Sequence, residues 1–356
     1  MKEDFVVIDG SQGEGGGQIL RTSLSLSAIT GKPFKMVNVR AKRAKPGLKR
    51  QHLTCLKAAA EICGAEVEGA EVGSMNVSFK PGKIVAGKYR FEVGTAGSVT
   101  LVAQTVLPIL LCADGESEVV ITGGTHVPMS PCWEYFAKAY LPQVRAMGAE
   151  VEARLVKHGF YPAGGGEIVM TIKPWCTARP YELVDRGQLQ GARVIARVAN
   201  LHPDIATTEV DIVTSQLRCV AFTAESGKVE SVGPGNYCAV ALSYGNVNFV
   251  TSEIGTYDRS RRAVANGVVS ATKTYLGTGC AADVHLSDQI LLPIVLAGDR
   301  IGTGVCGRFT MPGKRSLHFD TNWDVIGKFK NDVALKISDV GEDGRQIEIK
   351  IEKICR

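Results

Sequence analysis

The spacing of hydrophobic residues changes along the chain between the period of a strand and the period of a helix. Over the first ninety residues this pattern predicts strands and helices in turn. The apolar run Phe5–Ile8 predicts a short buried strand that ends at a glycine cluster. Apolar positions at helical spacing over Gln18–Ala28 predict a helix, which the sequence Gly31-Lys32-Pro33 ends. The next elements expected are the strand Phe34–Val39, the helix Leu48–Cys63, and two or three short strands before Tyr89.

The same order of elements recurs further along the chain. A second copy is predicted from the strand Tyr89–Val93, a glycine turn, the helix Val99–Ala113, the strand Glu118–Thr122, the helix Pro131–Met147, and the strands Glu150–Leu155 and Glu167–Ile172. A third copy is expected to begin near Ala281, with a helix over His285–Ala297 and another near Thr321–Lys330. Repetition of this kind predicts an α/β fold built from related units, with the glycine turns on one side.

The pattern changes between about Val184 and Gly279. This segment predicts the strand Arg193–Ala199, the helix Ile205–Phe222, the strands Val229–Val232, Cys238–Ser243 and Val247–Ser252, and the helix Ser260–Leu276. A compact unit between two repeats is typical of an inserted domain. We therefore expect a repeat domain formed by residues 1–183 plus 280–356, and a smaller α/β domain formed by residues 184–279.

Composition indicates a soluble globular protein and excludes several classes. The 356 residues are 45% hydrophobic and 22% charged, and a chain of this length favours two domains. The polar start opens directly into a strand, so no signal peptide is visible, and the longest apolar runs are too short to span a bilayer. Ten scattered cysteines without CxxC spacing are typical of reduced thiols, so we expect a cytoplasmic protein with no membrane contact.

The distribution of charge is more informative than the net charge of +5. Residues 15–60 contain no Asp or Glu but carry ten basic residues: Arg21, Lys32, Lys35, Arg40, Lys42, Arg43, Lys45, Lys49, Arg50 and Lys57. A solvated surface normally mixes both signs, so this stretch favours a site for polyphosphate or nucleic acid over a plain solvated surface.

A glycine-rich loop, residues 13–18, lies where the first strand gives way to the first helix. Consecutive glycines let backbone N–H groups approach a phosphate at a helix N-terminus. The standard nucleotide fingerprints GxxxxGK[ST] and GxGxxG are absent. Glu14 within the loop would repel phosphate unless a divalent metal lay between them, and the alternative is a tight turn with an exposed Glu.

Other polar residues become candidates because of their position near this loop. Arg21 is one helical turn beyond Gly17, and Arg40, Arg43 and Gln51 flank the turn at residues 45–47. A second glycine-rich loop, residues 158–166, is either a wide structural turn or a ligand contact. No two histidines have zinc-pair spacing.

Taken together, these segments resemble the RNA 3′-terminal phosphate cyclase family over nearly the whole chain. The matching motifs are DGSQGEGGGQILR, RAKRAKPGLKRQHLT, AEVEGAEVGS, HGFYPAGGG, HLSDQILLPIVLAG and HFDTN. The resemblance implies a large domain of three βαβαββ-type repeats with a smaller inserted domain. It also implies ATP-dependent conversion of an RNA 3′-phosphate to a 2′,3′-cyclic phosphodiester through an adenylated histidine.

By the same resemblance, residues of this chain acquire expected roles. His318, in the HxxTN segment, is the expected nucleophile, and Glu14 is the expected ligand of a divalent metal, Mg²⁺ or Mn²⁺. Arg21, Arg43 and Gln51 would contact the ATP phosphates or the RNA end, with Arg40 and Gln104 as further candidates for the phosphates. The adenosine pocket is expected at Pro131, His285 and Asp288, where His285 replaces the tyrosine of some members. Ser252 stands where some members place an aromatic wall.

Two alternatives remain at the level of sequence. One is a non-catalytic homologue that acts in ribosome assembly, against which the combination of His318, Glu14, Arg21 and Arg43 argues. The other is the enolpyruvyl transferase group, which has related repeats and a small-molecule substrate but lacks the HxxTN histidine. The sequence leaves the oligomeric state open, with a homodimer as one alternative.

Overall fold

The computed structural model describes residues 4–302, 304–340 and 344–354. The first repeat follows the predicted order strand, helix, strand, helix, strand, strand. Its elements are β1 (Val6–Asp9), α1 (Gln18–Thr30), β2 (Phe34–Val37), α2 (Arg50–Cys63), β3 (Glu66–Glu68) and β4 (Val77–Lys80). Both helices end at a glycine in the left-handed conformation, Gly31 and Gly64, where L-residues with a Cβ are strained.

The second repeat has the same order, with one helix divided. Its elements are β5 (Lys88–Glu92), α3 (Val99–Leu110), β6 (Ser117–Gly123), α4 (Trp133–Tyr135), a π-helical turn (Phe136–Tyr140), α5 (Leu141–Ala146), β7 (Val151–Lys157) and β8 (Gly166–Ile172). The single helix predicted over Pro131–Met147 is therefore three helical segments in succession. The strand β9 (Tyr181–Leu183) follows.

The changed pattern after β9 corresponds to a separate unit with its own sheet. It comprises β10 (Leu189–Ala199), α6 (Asp204–Gln216), β11 (Thr223–Lys228), β12 (Gly235–Tyr244), β13 (Asn248–Ile254) and α7 (Arg261–Thr278). Two predictions here were wrong. The helix expected to reach Phe222 ends at Gln216, and the strand expected at Val229–Val232 lies earlier, at Thr223–Lys228. A tertiary contact explains both differences, because β11 pairs in parallel with Arg193–Val198 of β10.

The third repeat is completed after this unit. It continues with α8 (Val284–Gln289), α9 (Leu291–Ile301), β14 (Val305–Pro312), α10 (Leu317–Phe329), β15 (Val333–Val340) and β16 (Gln346–Lys353). Its first strand is β9, because Tyr181–Leu183 pairs in parallel with Gly307–Phe309 of β14. The prediction that the third copy begins near Ala281 was therefore wrong, since a three-residue strand carries too weak a pattern to be recognised.

The three repeats share one sheet topology. Their strand orders are β1-β2-β4-β3, β5-β6-β8-β7 and β9-β14-β16-β15, and in each the first pair is parallel and the other two are antiparallel. Within each sheet, the parallel strands have their carboxyl ends at the same edge. The turn after β1 leads into α1 from that edge of the first sheet, and the turn after β5 leads into α3 from the corresponding edge of the second sheet. The α/β fold class predicted from the sequence is confirmed.

Two of the three hydrophobic clusters match this arrangement, and the third joins Phe160 of the second repeat to Tyr237 of the insertion. One cluster joins all three repeats and includes Leu24, Val106 and Ile294, while a second lies within residues 192–275 and includes Val194 and Val268. A few residues of β12 and β13 also pack into the first cluster. The division into residues 1–183 plus 280–356 and residues 184–279 stays a prediction that these cores favour.

Two further findings concern membrane-spanning helices and cysteines. Over the described ranges, every helix is too short or too polar to cross a bilayer. The nine cysteines within these ranges are free thiols, and Cys355 lies outside them.

Candidate active site

The glycine-rich turn after β1 is shaped by one carboxylate and by two glycines in the left-handed conformation. Asp9 Oδ1 accepts hydrogen bonds from the backbone N–H of Ser11, at 3.0 Å, and from its hydroxyl, at 2.8 Å. Gly13 and Gly15 have φ of 55° and 58°. A Cβ on Gly13 would lie 2.1 Å from Thr321 Oγ1, so the turn rests directly on α10. Only glycine allows this close approach.

The start of α10 is fixed by hydrogen bonds to two other helices. The hydroxyl of Ser316 caps the helix by accepting from the N–H of Phe319 at 3.1 Å. Asn322 accepts from the hydroxyl of Thr22 in α1 at 2.7 Å and donates to the carbonyl of Asp288 in α8 at 2.7 Å. Because Asn322 is one turn beyond His318, these bonds set the position of the histidine relative to the glycine turn.

The imidazole of His318 lies among polar side chains of the first repeat. Its Nδ1 is hydrogen-bonded to the amide oxygen of Gln18, and its Nε2 lies 3.1 Å from Glu14 Oε2. Arg43 Nη2 contacts the same carboxylate oxygen at 3.2 Å. The side chains of Glu14, Arg43 and His318 remain about 40% exposed, at 42%, 37% and 41%. The three predicted residues therefore meet at one solvent-accessible point.

Arg21 borders this group from the helix side. A Cβ on Gly17 would lie 3.1 Å from Arg21 Nη1 and 2.1 Å from His52 Nε2, so both side chains lie against the glycine turn. Burial lowers the pKa of Arg21, and the neighbouring Cys55 and Asp288 oppose that shift. Burial also lowers the pKa of His52 to about 3, with the charges of Arg21, Arg40 and Lys49 acting in the same direction. His52 is therefore neutral, and its Nδ1 accepts from the N–H of Lys49 at 3.2 Å.

Gln51 and Arg40 are bonded to the backbone. Gln51 Oε1 accepts from the N–H of Ser98 at 2.7 Å, which links α2 to the glycine turn after β5. Arg40 is buried, and its Nη1 donates to the carbonyls of Lys45 and Gly47, each at 2.8 Å. Arg40 thus stabilises the turn that presents Arg43, and its contact with phosphate stays a prediction.

The remaining predicted residues lie on or beside α3 and α8. Gln104 donates to the side chain of Gln289, and the carbonyl of Pro131 accepts from the hydroxyl of Thr100 at 2.7 Å. His285 is exposed at the start of α8, whereas Asp288 is buried. Burial and the nearby Asp283 raise the pKa of Asp288 well above its ordinary value, against the opposing effect of Arg21.

Sequence reasoning missed three polar residues at this site. Gln18 was seen only as part of a motif, although it contacts His318 directly. The side-chain oxygen of Gln12 and the hydroxyl of Tyr135 are both buried and have no hydrogen-bond partner among the described residues. Burial raises the pKa of Tyr135 well above its ordinary value, and Asp283 and Asp288 add to the shift. The motif DGSQGEGGGQ was the signal for both glutamines, but nothing in the sequence indicated Tyr135.

The potential for metal binding rests on a single carboxylate. No group of three or more His, Cys, Asp or Glu side chains within the described ranges is arranged to hold a metal ion. Among the described residues, the charged side chains that pair with Glu14 are His318 and Arg43. Such a site fits Mg²⁺ held by one carboxylate, water and the phosphates of a nucleotide, but it does not fit an ion held by protein ligands alone.

Comparison with known proteins decides the family. The family model described as RNA 3′-terminal phosphate cyclase matches residues 12–336. The chain belongs to the RNA 3′-terminal phosphate cyclase family.

Curated relatives agree with this assignment along the whole chain. The RNA 3′-terminal phosphate cyclase of Ectopseudomonas mendocina is 41% identical over 98% of this chain and 99% of the relative. The proteins of the same name from Salmonella agona and Ralstonia nicotianae are 42% and 44% identical, and each alignment covers 91% of this chain and 92% or 91% of the relative. These relatives are named as enzymes. The family assignment therefore argues against the enolpyruvyl transferase alternative.

One solved structure is also similar in part. The enolpyruvyl transferase NikO from Streptomyces tendae is 11% identical, with a TM-score of 0.28, over 48% of this chain and 33% of that chain. This likeness is too weak to carry an argument.

The second glycine-rich loop of this cyclase family member has a structural role. Gly159 and Gly166 approach each other so closely that a Cβ on Gly159 would lie 2.3 Å from the backbone N of Gly166. Beneath the loop, the buried Glu134 accepts from Tyr237 at 2.6 Å and bonds His126 at 2.7 Å. The loop thus joins the second repeat to the insertion, and a contact between the loop and a ligand stays a prediction.

Proposed function

We propose that this protein is an ATP-dependent RNA 3′-terminal phosphate cyclase that acts through a covalent AMP adduct of His318. Its reaction converts an RNA 3′-phosphate to a 2′,3′-cyclic phosphodiester and releases pyrophosphate and AMP. The observation that carries the proposal is the position of the His318 imidazole between Gln18 and Glu14, beside Arg43 and at the glycine turn. Family membership supplies the class of substrate.

The hydrogen bond to Gln18 selects the nucleophilic atom. An amide oxygen can only accept, so Nδ1 of the neutral ring carries the proton and the lone pair is on Nε2. Nε2 is also the atom that faces the Glu14 carboxylate and the glycine turn. Because an unprotonated Nε2 and a carboxylate oxygen are both acceptors, Glu14 would have to turn away from Nε2 before the lone pair attacks. Attack by Nε2 leaves positive charge on the ring, and the bond from Nδ1–H to Gln18 stabilises that charge.

The nucleotide phosphates would lie at the start of α1. Gly16 and Gly17 leave backbone N–H groups unobstructed there, at the positive end of the helix dipole. Arg43 and Arg21 lie on either side of this turn and would neutralise the phosphates. In the first step a bond forms between Nε2 and the α-phosphorus while the bond from that phosphorus to pyrophosphate breaks. Catalysis of this kind is mostly positioning and charge neutralisation.

The two later steps transfer AMP and close the ring. An oxygen of the RNA 3′-phosphate bonds to the AMP phosphorus, and His318 leaves as a neutral imidazole. The adjacent 2′-hydroxyl then attacks the activated 3′-phosphorus, its proton is lost to solvent, and AMP departs. Gln51 and Arg43 are the expected contacts of the RNA end, and Pro131, His285, Asp288 and Gln104 are expected around the nucleotide.

A divalent ion, Mg²⁺ or Mn²⁺, would complete the site. Glu14 is the residue that would hold it, because its carboxylate otherwise opposes phosphate binding. When bound, the ion would offset negative charge on the phosphates. Arg43 and His318 lie beside the carboxylate that would hold the ion.

Self-adenylation is the decisive experiment. The protein is incubated with ATP labelled at the α-phosphate and a divalent metal, and is then denatured. A label that is stable in alkali but lost in acid would indicate a phosphoramidate on histidine. If the His318→Ala protein retains the label, the assignment of the nucleophile is wrong. If no label is incorporated at all, the non-catalytic role in ribosome assembly becomes the better explanation.

A further inference from the structure

A cleft of about 580 Å³ lies where the insertion meets the second repeat. Its walls come from the end of β7, the residues after β10 and the connection between β11 and β12. The lining residues are Lys157, Asn200, Leu201, Lys228, Val229, Glu230, Ser231 and Val232. None of the candidate catalytic side chains lines this cleft, so it is a separate feature of the fold.

The polar groups of the cleft favour an anionic ligand. Lys157 and Lys228 are exposed, and neither has an acidic partner within the described ranges, while Glu230 is the one acidic lining residue. The side-chain amide of Asn200 donates to the carbonyl of Ser231 at 3.1 Å, which fixes the wall. The hydroxyl of Ser231 is shielded from solvent and makes no hydrogen bond to any described residue. A ligand with several negatively charged acceptor oxygens would pair with the two exposed lysines.

A series of packed segments connects this cleft to the candidate active site. A Cβ on Gly165 would lie 2.6 Å from Val232 Cγ2, and one on Gly164 would lie 2.8 Å from the carbonyl oxygen of Thr95. The turn that contains Thr95 continues to Ser98, whose N–H is bonded to Gln51. The second glycine-rich loop therefore bridges the cleft and the residue expected at the RNA end.

An exposed aromatic ring lies on that bridging loop. Tyr161 is 62% exposed although its neighbour Phe160 is buried. Met129, on the adjacent segment, is 95% exposed, and the pairing of His126 with Phe160 holds the two segments side by side. An exposed aromatic face combined with unpaired cations is the usual platform for single-stranded nucleic acid, because every base can stack on the ring.

We infer that this cleft and Tyr161 bind the nucleotides of a single-stranded RNA that precede the 3′-terminal phosphate. The inference rests on the proposed function for the identity of the ligand. The RNA backbone contacts Lys157 and Lys228, and a base stacks on Tyr161. These contacts carry no sequence preference, because they recognise phosphate and ring faces only.

The test measures binding of an RNA that cannot react. The probe is a labelled single-stranded oligonucleotide with a 3′-hydroxyl end, and its length of about ten nucleotides is within the usual range of such sites. Fluorescence anisotropy gives its Kd at several salt concentrations. Removing two phosphate contacts in the Lys157→Ala/Lys228→Ala protein should lower the slope of log Kd against log salt by about 1.4, and weaken binding about 20-fold at 0.1 M salt. Tyr161→Ala should weaken binding by about 5- to 100-fold, and Tyr161→Phe should restore it.

The matched control is the Lys88→Ala/Lys273→Ala protein, which removes two exposed lysines outside the cleft. If the cleft variant loses no more affinity and no more salt dependence than this control, the inference is overturned. It is also overturned if the cleft variant loses affinity for an acidic peptide but not for RNA, which would assign the cleft to a protein partner. RNA-free self-adenylation of the wild-type protein tests the proposed function separately, because this binding measurement requires no chemistry.

Discussion

His318 and Gln18 are hydrogen-bond partners although they are 300 residues apart in the sequence. Gln18 is the first residue of α1, and His318 is the second residue of α10. Each therefore lies at a helix N-terminus, where backbone N–H groups are available to phosphates. The bond joins the expected nucleophile, near one end of the chain, to the glycine turn near the other.

Replacement of Gln18 should slow adenylation of His318 without abolishing nucleotide binding. In Gln18→Ala the ring loses the acceptor at Nδ1, so a smaller fraction has its lone pair on Nε2, and we expect kcat to fall by about 10- to 100-fold. Gln18→Glu restores an acceptor and stabilises the charged ring, which should move the acidic limb of the pH–rate profile to higher pH. Identical profiles for both variants and the wild type would exclude this role.

Loss of the His318 imidazole should reduce the rate of adenylation more than loss of its partner Gln18. His318→Ala and His318→Asn should each reduce self-adenylation and cyclisation by at least about 1,000-fold, because no other described side chain occupies the nucleophile's position. The control is His202→Ala, which removes a histidine that is 72% exposed and pairs only with its neighbour Asp204. Activity of His318→Ala above a hundredth of that control would contradict the mechanism.

The dependence of adenylation on metal concentration should change when Glu14 is replaced. Glu14→Ala removes the carboxylate that contacts His318 and Arg43, and we expect adenylation to fall by about 10- to 1,000-fold, with partial recovery at higher Mg²⁺ or Mn²⁺. The measurement is the rate of label incorporation across a metal titration. Equal metal dependence in variant and wild type would show that Glu14 is not the metal ligand.

Gly17 should tolerate no side chain. A Cβ there would lie 2.1 Å from His52 Nε2, so Gly17→Ala must displace His52 or the turn, at a cost of about 1–3 kcal/mol in the free energy of unfolding. Adenylation should fall with it, because Arg21 is also displaced. Gly277→Ala is the matched control, since Gly277 lies in α7 with open space around it, and alanine there should be neutral or stabilising.

Acid should destabilise the protein partly through His52. Its pKa is about 3 in the folded protein against 6.5 when unfolded, so both states are neutral above 6.5. Between those values only the unfolded state binds the proton, and the free energy of unfolding should fall by about 2 kcal/mol from pH 7 to pH 5. Urea denaturation at the two pH values measures this loss, which should shrink in His52→Gln. An equal loss in wild type, His52→Gln and an exposed-site control, His202→Gln, would refute the contribution of His52.

The strong local patterns of the sequence predicted most elements within a few residues. Gln18–Ala28 was recognised as a helix because its apolar spacing is a property of consecutive residues, and the structure extends it only to Thr30. The errors fell where a distant partner decides the conformation. Thr223–Lys228 is a strand because β10 lies beside it, and Tyr181–Leu183 is a strand because β14 does.

The candidate site shows the same division between what local sequence predicts and what distant contacts decide. The sequence by itself, through its motifs and the family they resemble, proposed Glu14, Arg21, Arg43 and His318 as candidates for adenylyl transfer, and it placed glycines where the backbone approaches other groups closely. Only the tertiary structure decided that His318 meets Glu14 and Gln18, that Arg40 is bonded to the turn at Lys45 and Gly47, and that a cleft forms at Lys157 and Lys228. Spacing along a chain encodes local periodicity, whereas contacts across hundreds of residues depend on how three similar sheets and an inserted unit pack together.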